Sequence, residues 1–232
     1  RGIWVLIALV SIAIAGLLLR FVAPDSSIAT EAAPVRALAL VRQTATSVRP
    51  WLLAASFGFY AGQWMSVFGF LPTLYAEEGV PAATAGLLTA LGVGVNVIGN
   101  FGAGLLLQRG WQRHVLLILA AVTMLVGAWL LFGSGASFGL RFAGVLAFSA
   151  GGGLIPGTLF ASTPAFAPNA STVSTTAGLM QQGSALGQFV TPPLIAIVVS
   201  SAGSWSVTWL VTGAMAAVNV LLALLVRRVT RS

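Results

Sequence analysis

Apolar residues along this chain gather into long runs separated by brief polar breaks. The runs are Ile3–Phe21, Trp51–Tyr75, Ala82–Leu107, His114–Phe132, Phe138–Phe160, Val173–Val199 and Trp205–Val226. Each is close to the roughly 20 residues that a helix needs to cross a bilayer. Most breaks are tight: Glu77–Pro81, Gln108–Arg113, Gly133–Ser137 and Ser200–Ser204, with a medium loop at Ala161–Thr172. The long polar connection is Val22–Arg49, which carries Asp25, Glu31, Arg36, Arg42 and Arg49. Within it Pro34 is placed to start a short helix with Val35, Leu38 and Val41 on one side. That pattern suits an amphipathic helix lying in the membrane interface, or a solvated linker.

The run Gly92–Arg113, GVGVNVIGNFGAGLLLQRGWQR, combines the features that organise the rest. Gly92, Gly99 and Gly102, with Gly94 and Gly104 nearby, leave little side chain on one helix surface, so a neighbour can approach closely. Apolar side chains gain nothing by leaving lipid for protein, and association therefore depends on fit and a few polar contacts. Asn96 and Asn100, four apart, offer those contacts.

Composition agrees with the pattern. Hydrophobic residues make up 58% of 232 and charged residues 6%, with a mean hydropathy of +0.99. A soluble domain carries about a quarter charged residues, so this is an integral, multi-pass membrane protein whose first partner is the lipid bilayer. A net charge of +7 would fit nucleic acid, but the arginines sit at the ends of apolar runs rather than on one basic face. No nucleic-acid partner is expected. There is no Cys and a single His, His114, which leaves no metal site or cofactor to propose.

Charge also orients the chain. With the long linker in the cytoplasm, Arg20, Arg36, Arg42, Arg49, Arg109, Arg113, Arg227, Arg228 and Arg231 all fall inside, leaving Arg1 and Arg141 outside with Glu77 and Glu78. This satisfies the positive-inside rule and puts the C-terminus in the cytoplasm. Trp4, Tyr75, Trp129 and Trp205 then mark outer ends, and Trp51 and Trp111 inner ones. The chain starts at Arg1 rather than Met, which is read as the start of a fragment of a longer polypeptide.

Six helices with short loops after a long cytoplasmic linker resemble the second half of the major facilitator superfamily, its sixth to twelfth helices. The inner turn carries a degenerate form of the family pattern Gly-x-x-x-Asp-Arg-x-Gly-Arg-Arg. Gly104, Arg109 and Arg113 match, while Gln108, Trp111 and Gln112 depart from it, so the family's gating salt bridge through the acid does not carry over. The run GLMQQGSALGQFVTPPLIA resembles the family's eleventh helix. That run and VFGFLPTLYAEEGVPAATAGLLTA look most like the cyanate/nitroimidazole-type branch. The resemblance implies an all-α fold, a six-helix bundle of two inverted three-helix repeats preceded by one additional helix. It divides the chain into residues 1–21 belonging to an N-terminal half, a linker at 22–50, and a transporter bundle at 51–232. It also implies a small-molecule substrate, the N-terminal half of the same transporter as partner, alternating access, and a bacterial inner membrane.

In such a carrier the site lies near the membrane midplane, at the interface of repeats. Predicted midpoints select Gln63, flanked by Tyr60 and Trp64; Asn96; and Gln181, Ser184 and Gln188, which share a helix face. Each amide taken singly suits helix packing, and the cluster suits recognition of a small polar or anionic solute. Gly151, Gly152, Gly153 and Pro156 are expected to break the fifth run, and Pro192 and Pro193 the sixth, giving hinged or gating helices. Asn219 is expected to be structural. Arg141 either attracts an anion or snorkels to the interface. No Asp, Glu, Lys or His falls at a membrane centre, so a proton-coupling carboxylate is expected elsewhere or not at all. Nothing points to an enzyme. The competing readings are a seven-helix receptor and a non-transporting membrane scaffold.

Overall fold

The computed structural model describes residues 2–22 and 34–229. Arg1, Asp25, Glu31 and Arg231 lie outside them. The chain divides into two units, residues 1–39 and Leu40–Ser232. The first holds α1 (Gly2–Phe21), whose side chains are all exposed and whose last turn carries Arg20. Placing a cation there suits the negative end of the helix dipole. Helix α2 (Pro34–Ala45) starts at the proline predicted to start it. Its end is tied down within the second unit: the hydroxyls of Thr44 and Thr175 lie 2.6 Å apart, and the Trp51 indole donates to the Ala45 carbonyl at 2.8 Å.

The second unit is a helical bundle. Helices α3 (Val48–Phe68) and α4 (Leu71–Glu77) replace one predicted run, α5 (Ala82–Gln108) and α6 (Arg113–Phe132) follow, and α7 (Phe138–Gly152) and α8 (Leu154–Phe166) share the next. Then come α9 (Val173–Ala202) and α10 (Thr208–Val229). Among the described residues there is no strand. The tight connections turn on Gly79, Gly110, Gly135 and Gly203, each at positive φ where other residues are strained. The medium loop closes on a capping box between Asn169 and Thr172 instead.

Six helical segments among the described residues are long and apolar enough to cross a membrane, α1 included. Helix α3 falls outside that set, although sequence pattern predicts it to span. Tyr60, Gln63, Trp64 and two serines dilute its hydropathy, and most of its side chains are buried. A helix screened from lipid by its neighbours needs no apolar surface all round.

Packing follows a rule of exchange. Take α3/α4, α5 and α6 as one triplet and α7/α8, α9 and α10 as the other. The first member of each packs on the second of the other: α3 on α9, and α7 with α8 on α5. The third members α6 and α10 pack on each other, and each also packs on the first member of the opposite triplet. Swapping the triplets leaves this pattern unchanged. Because each has three spans, the second enters the membrane from the side opposite to the first, which makes the repeat inverted.

The major seams are lined by small residues. Gly58 of α3 lies against Gly183, so a methyl there would sit 2.8 Å from the Gly183 carbonyl oxygen, and Gly62 faces Thr191 and Gly187. In the exchanged seam Gly99 lies against Ala150 and Gly153, and Gly157 against Asn100 and Ala103. Gly92 packs on Phe68 and Val145, but Gly94 and Gly104 face open space and Gly102 barely touches Leu154. The glycine-rich helix is therefore in close contact through only part of the surface expected of it.

Candidate functional site

Three elements meet at the break between α7 and α8. Gly153 interrupts the helix there, and Pro156 follows in the first turn of α8, where its missing N–H is tolerated. The Asn96 amide of α5 donates to the Ser149 carbonyl at 2.9 Å and to the Tyr60 hydroxyl at 3.2 Å. Asn100 in turn donates to the Asn96 side-chain oxygen at 2.8 Å. A Cβ on Gly152 would meet the Tyr60 ring at 3.3 Å and the Met124 sulfur at 3.2 Å, so the absent side chain makes room for the tyrosine. Gly151 lies against Thr123 of α6. Phe57 stacks on Tyr60 with centroids 6.0 Å apart.

This arrangement divides the predicted site residues. Both amide hydrogens of Asn96 are used and its oxygen accepts, so here it ties α3, α5 and α7 together. Gln63, one turn along α3 from Tyr60, is the opposite case. It is 0% exposed, and neither its amide nitrogen nor its oxygen has a partner. The Trp64 indole N–H is likewise buried and unpaired, while its ring packs on Phe68 at 4.6 Å. Leaving such a group unsatisfied costs roughly 1–3 kcal/mol, and native structures do so rarely.

Gln181, Ser184 and Gln188 do share a face of α9, as spaced. Ser184 is buried, Gln181 and Gln188 are exposed, and the Gln188 amide donates to the Ser184 hydroxyl at 3.0 Å. No hydrogen bond joins this group to Tyr60 or Asn96, so the structure forms two polar groups rather than one. Pro192 and Pro193 do not break α9, which runs unbroken from Val173 to Ala202. They still withhold N–H groups from the carbonyls of Gln188 and Phe189. In a membrane such carbonyls are tolerated only where protein or water meets them. This face of α9 is therefore unsuited to lipid.

Gly104 and Arg113 of the inner turn line an open cavity and Arg109 stands outside it, exposed. At the other end of the bundle the structure corrects the reading of Arg141. Its guanidinium pairs with Glu78 at 2.5 Å and donates to the Leu131 carbonyl at 2.9 Å. The Trp205 indole donates to Glu77 at 3.0 Å. Glu77 and Glu78 end the α4 segment of one triplet, and Arg141 and Trp205 start spans of the other, so this cluster ties the triplets together. A pair of acids placed on the same side as Arg141 was the available signal. Asn219 accepts from Ser56 of α3 at 2.8 Å, while its own amide nitrogen is buried without a partner.

No family model and no curated protein matches the sequence. Among solved structures the chain is similar to a major facilitator superfamily transporter, FucP, in the outward conformation. That match has 19% identity and a TM-score of 0.66, and covers 95% of this chain and 53% of that one. A variant of the Escherichia coli fucose:proton symporter FucP matches at the same identity and TM-score over 94% of this chain. The chain spans about half the length of these structures, and the likeness shows that it has the major facilitator superfamily fold.

Proposed function

We propose that this chain supplies one bundle of a secondary transporter, which moves a small polar solute by alternating access against an N-terminal bundle of the same transporter. On this reading residues 1–21 belong to the N-terminal half, the linker and C-terminus are cytoplasmic, and the protein resides in a bacterial inner membrane. The observation that carries it is the buried, unpaired amide of Gln63, a polar group kept at a cost inside an apolar bundle. Tyr60 and Trp64 beside it, and Gln181, Ser184 and Gln188 on the lipid-averse face of α9, supply further hydrogen-bonding groups. Amides, hydroxyls and an indole without a nearby carboxylate suit a solute recognised by hydrogen bonds. The exchange-symmetric triplets support a carrier over a seven-helix receptor, because rocking about small-residue seams needs two equivalent arrangements. The break at Gly153, with Gly151 and Gly152 before it and Pro156 after it, supplies the bending element.

Gln63→Leu tests the reading, because it separates packing from recognition. Removing an unsatisfied buried amide is expected to raise the thermal midpoint of the purified protein while lowering uptake into proteoliposomes by roughly tenfold, the scale of one lost hydrogen bond. Asn96→Ala, which breaks a satisfied network, is expected to lower both. Uptake is screened across sugars, small anions and amino-acid-like solutes, with and without a proton gradient. Wild-type uptake by Gln63→Leu would assign Gln63 to packing alone.

A further inference from the structure

The inner turn and the last turn of α10 border an open cavity that the transport reading does not use. It has a volume of about 740 Å³ and is lined by Gly104, Gln108, Trp111, Arg113, His114 and Arg227, among others. Three features define its chemistry. Its charged lining is basic, and among the described residues the carboxylates are Glu77 and Glu78, which lie at the opposite end of the bundle. Arg113, half-buried, has no ion pair or hydrogen bond within the described residues. Helix α6 begins at Arg113 with no side-chain cap, so the positive end of its dipole adds to the same field. Gln108 and Gln112 border the site as neutral groups, so Arg113 meets no carboxylate there among the described residues.

We infer that this cavity binds a phosphate-type oxyanion, with Arg113 as its principal ligand and Arg227 as the second cation. A guanidinium fork matches two phosphate oxygens at once. The volume falls in the range of small-molecule sites, well beyond what one phosphate fills, and suits a phosphate carrying a glycerol. Trp111, 46% exposed, stands at the rim where apolar spans end, the depth that tryptophan prefers at a membrane interface. The phosphate of a phospholipid headgroup and free phosphate share this chemistry, and the test separates them.

The protein is purified in detergent and titrated with phosphatidylglycerol, retained lipid being counted by native mass spectrometry, alone and against inorganic phosphate. Arg113→Gln removes the main ligand. Gly104→Leu fills the cavity without altering charge, since a Cβ there meets nothing within 4 Å. Arg228→Gln removes an exposed cation that does not line the cavity. A headgroup site predicts that the first two variants bind phosphatidylglycerol roughly tenfold more weakly, that Arg228→Gln binds as wild type, and that inorganic phosphate does not compete. Arg113-dependent binding of inorganic phosphate, with lipid binding equal in all variants, would assign the same site to the free anion. If all variants bind both probes as wild type does, or Arg228→Gln weakens binding as much as Arg113→Gln, there is only a diffuse basic surface and the proposal is overturned.

Discussion

A methyl group at position 58 would land 2.8 Å from the carbonyl oxygen of Gly183, and a neighbouring backbone cannot yield as a flexible side chain can. Gly58→Ala is therefore expected to lower the thermal midpoint in detergent, as overpacking of about 1–3 kcal/mol does. Gly94→Ala faces open space. It should be neutral or stabilising, by up to about 1 kcal/mol of helix propensity. Equal destabilisation by both would mean that the α3–α9 seam is not the close contact described. Sequence offers glycines by type only. Those at 92 and 99 pack and those at 94 and 104 do not, a difference set by which face another helix covers. The same holds for the amides: Asn96 and Gln63 look alike along the chain, yet one is saturated and the other has no partner.

At the scale of elements, the helices follow from apolar run length and their ends from turn glycines, and most boundaries fall within a few residues of the runs. The exceptions share a cause. Helix α8 continues through Pro164 to Phe166, and α9 passes through Pro192 and Pro193, because tertiary packing holds helices past residues that disfavour them locally. The split between α3 and α4 is signalled by Gly69 and by Pro72 in the first turn of α4, a start signal that the long apolar run obscures. Pro192→Ala would return an N–H to the Gln188 carbonyl. Relief of an interior proline is worth up to about 3 kcal/mol. The variant is expected to melt at higher temperature and, if the α9 carbonyls face a solute path, to transport several-fold more slowly in proteoliposomes. A more stable variant with unchanged uptake would remove Pro192 from the gating elements.

At the scale of the whole bundle, charge and symmetry make separate statements. The two ends differ in character: Arg113 and Arg227 border a basic cavity at one, and Glu77 and Glu78 are paired with Trp205 and Arg141 at the other. Placing the basic end in the cytoplasm predicts a labelling pattern that this cysteine-free chain makes simple to read. An impermeant maleimide should label Ser201→Cys in intact cells, and Gln112→Cys only after the membrane is opened. The reverse pattern would invert the orientation proposed here.

Hydropathy and charge placement are one-dimensional quantities. The sequence alone therefore determined that the chain is helical and membrane-embedded, how its apolar helices are ordered, and that a helix starts at Pro34. Contact between spans is not one-dimensional. Only the folded bundle decided that α3 packs on α9 and α5 on α8, that Arg141 finds Glu78, and that Asn96 is satisfied while Gln63 is not. Each outcome depends on which faces meet, and that is settled by complementary surfaces on residues far apart in the chain.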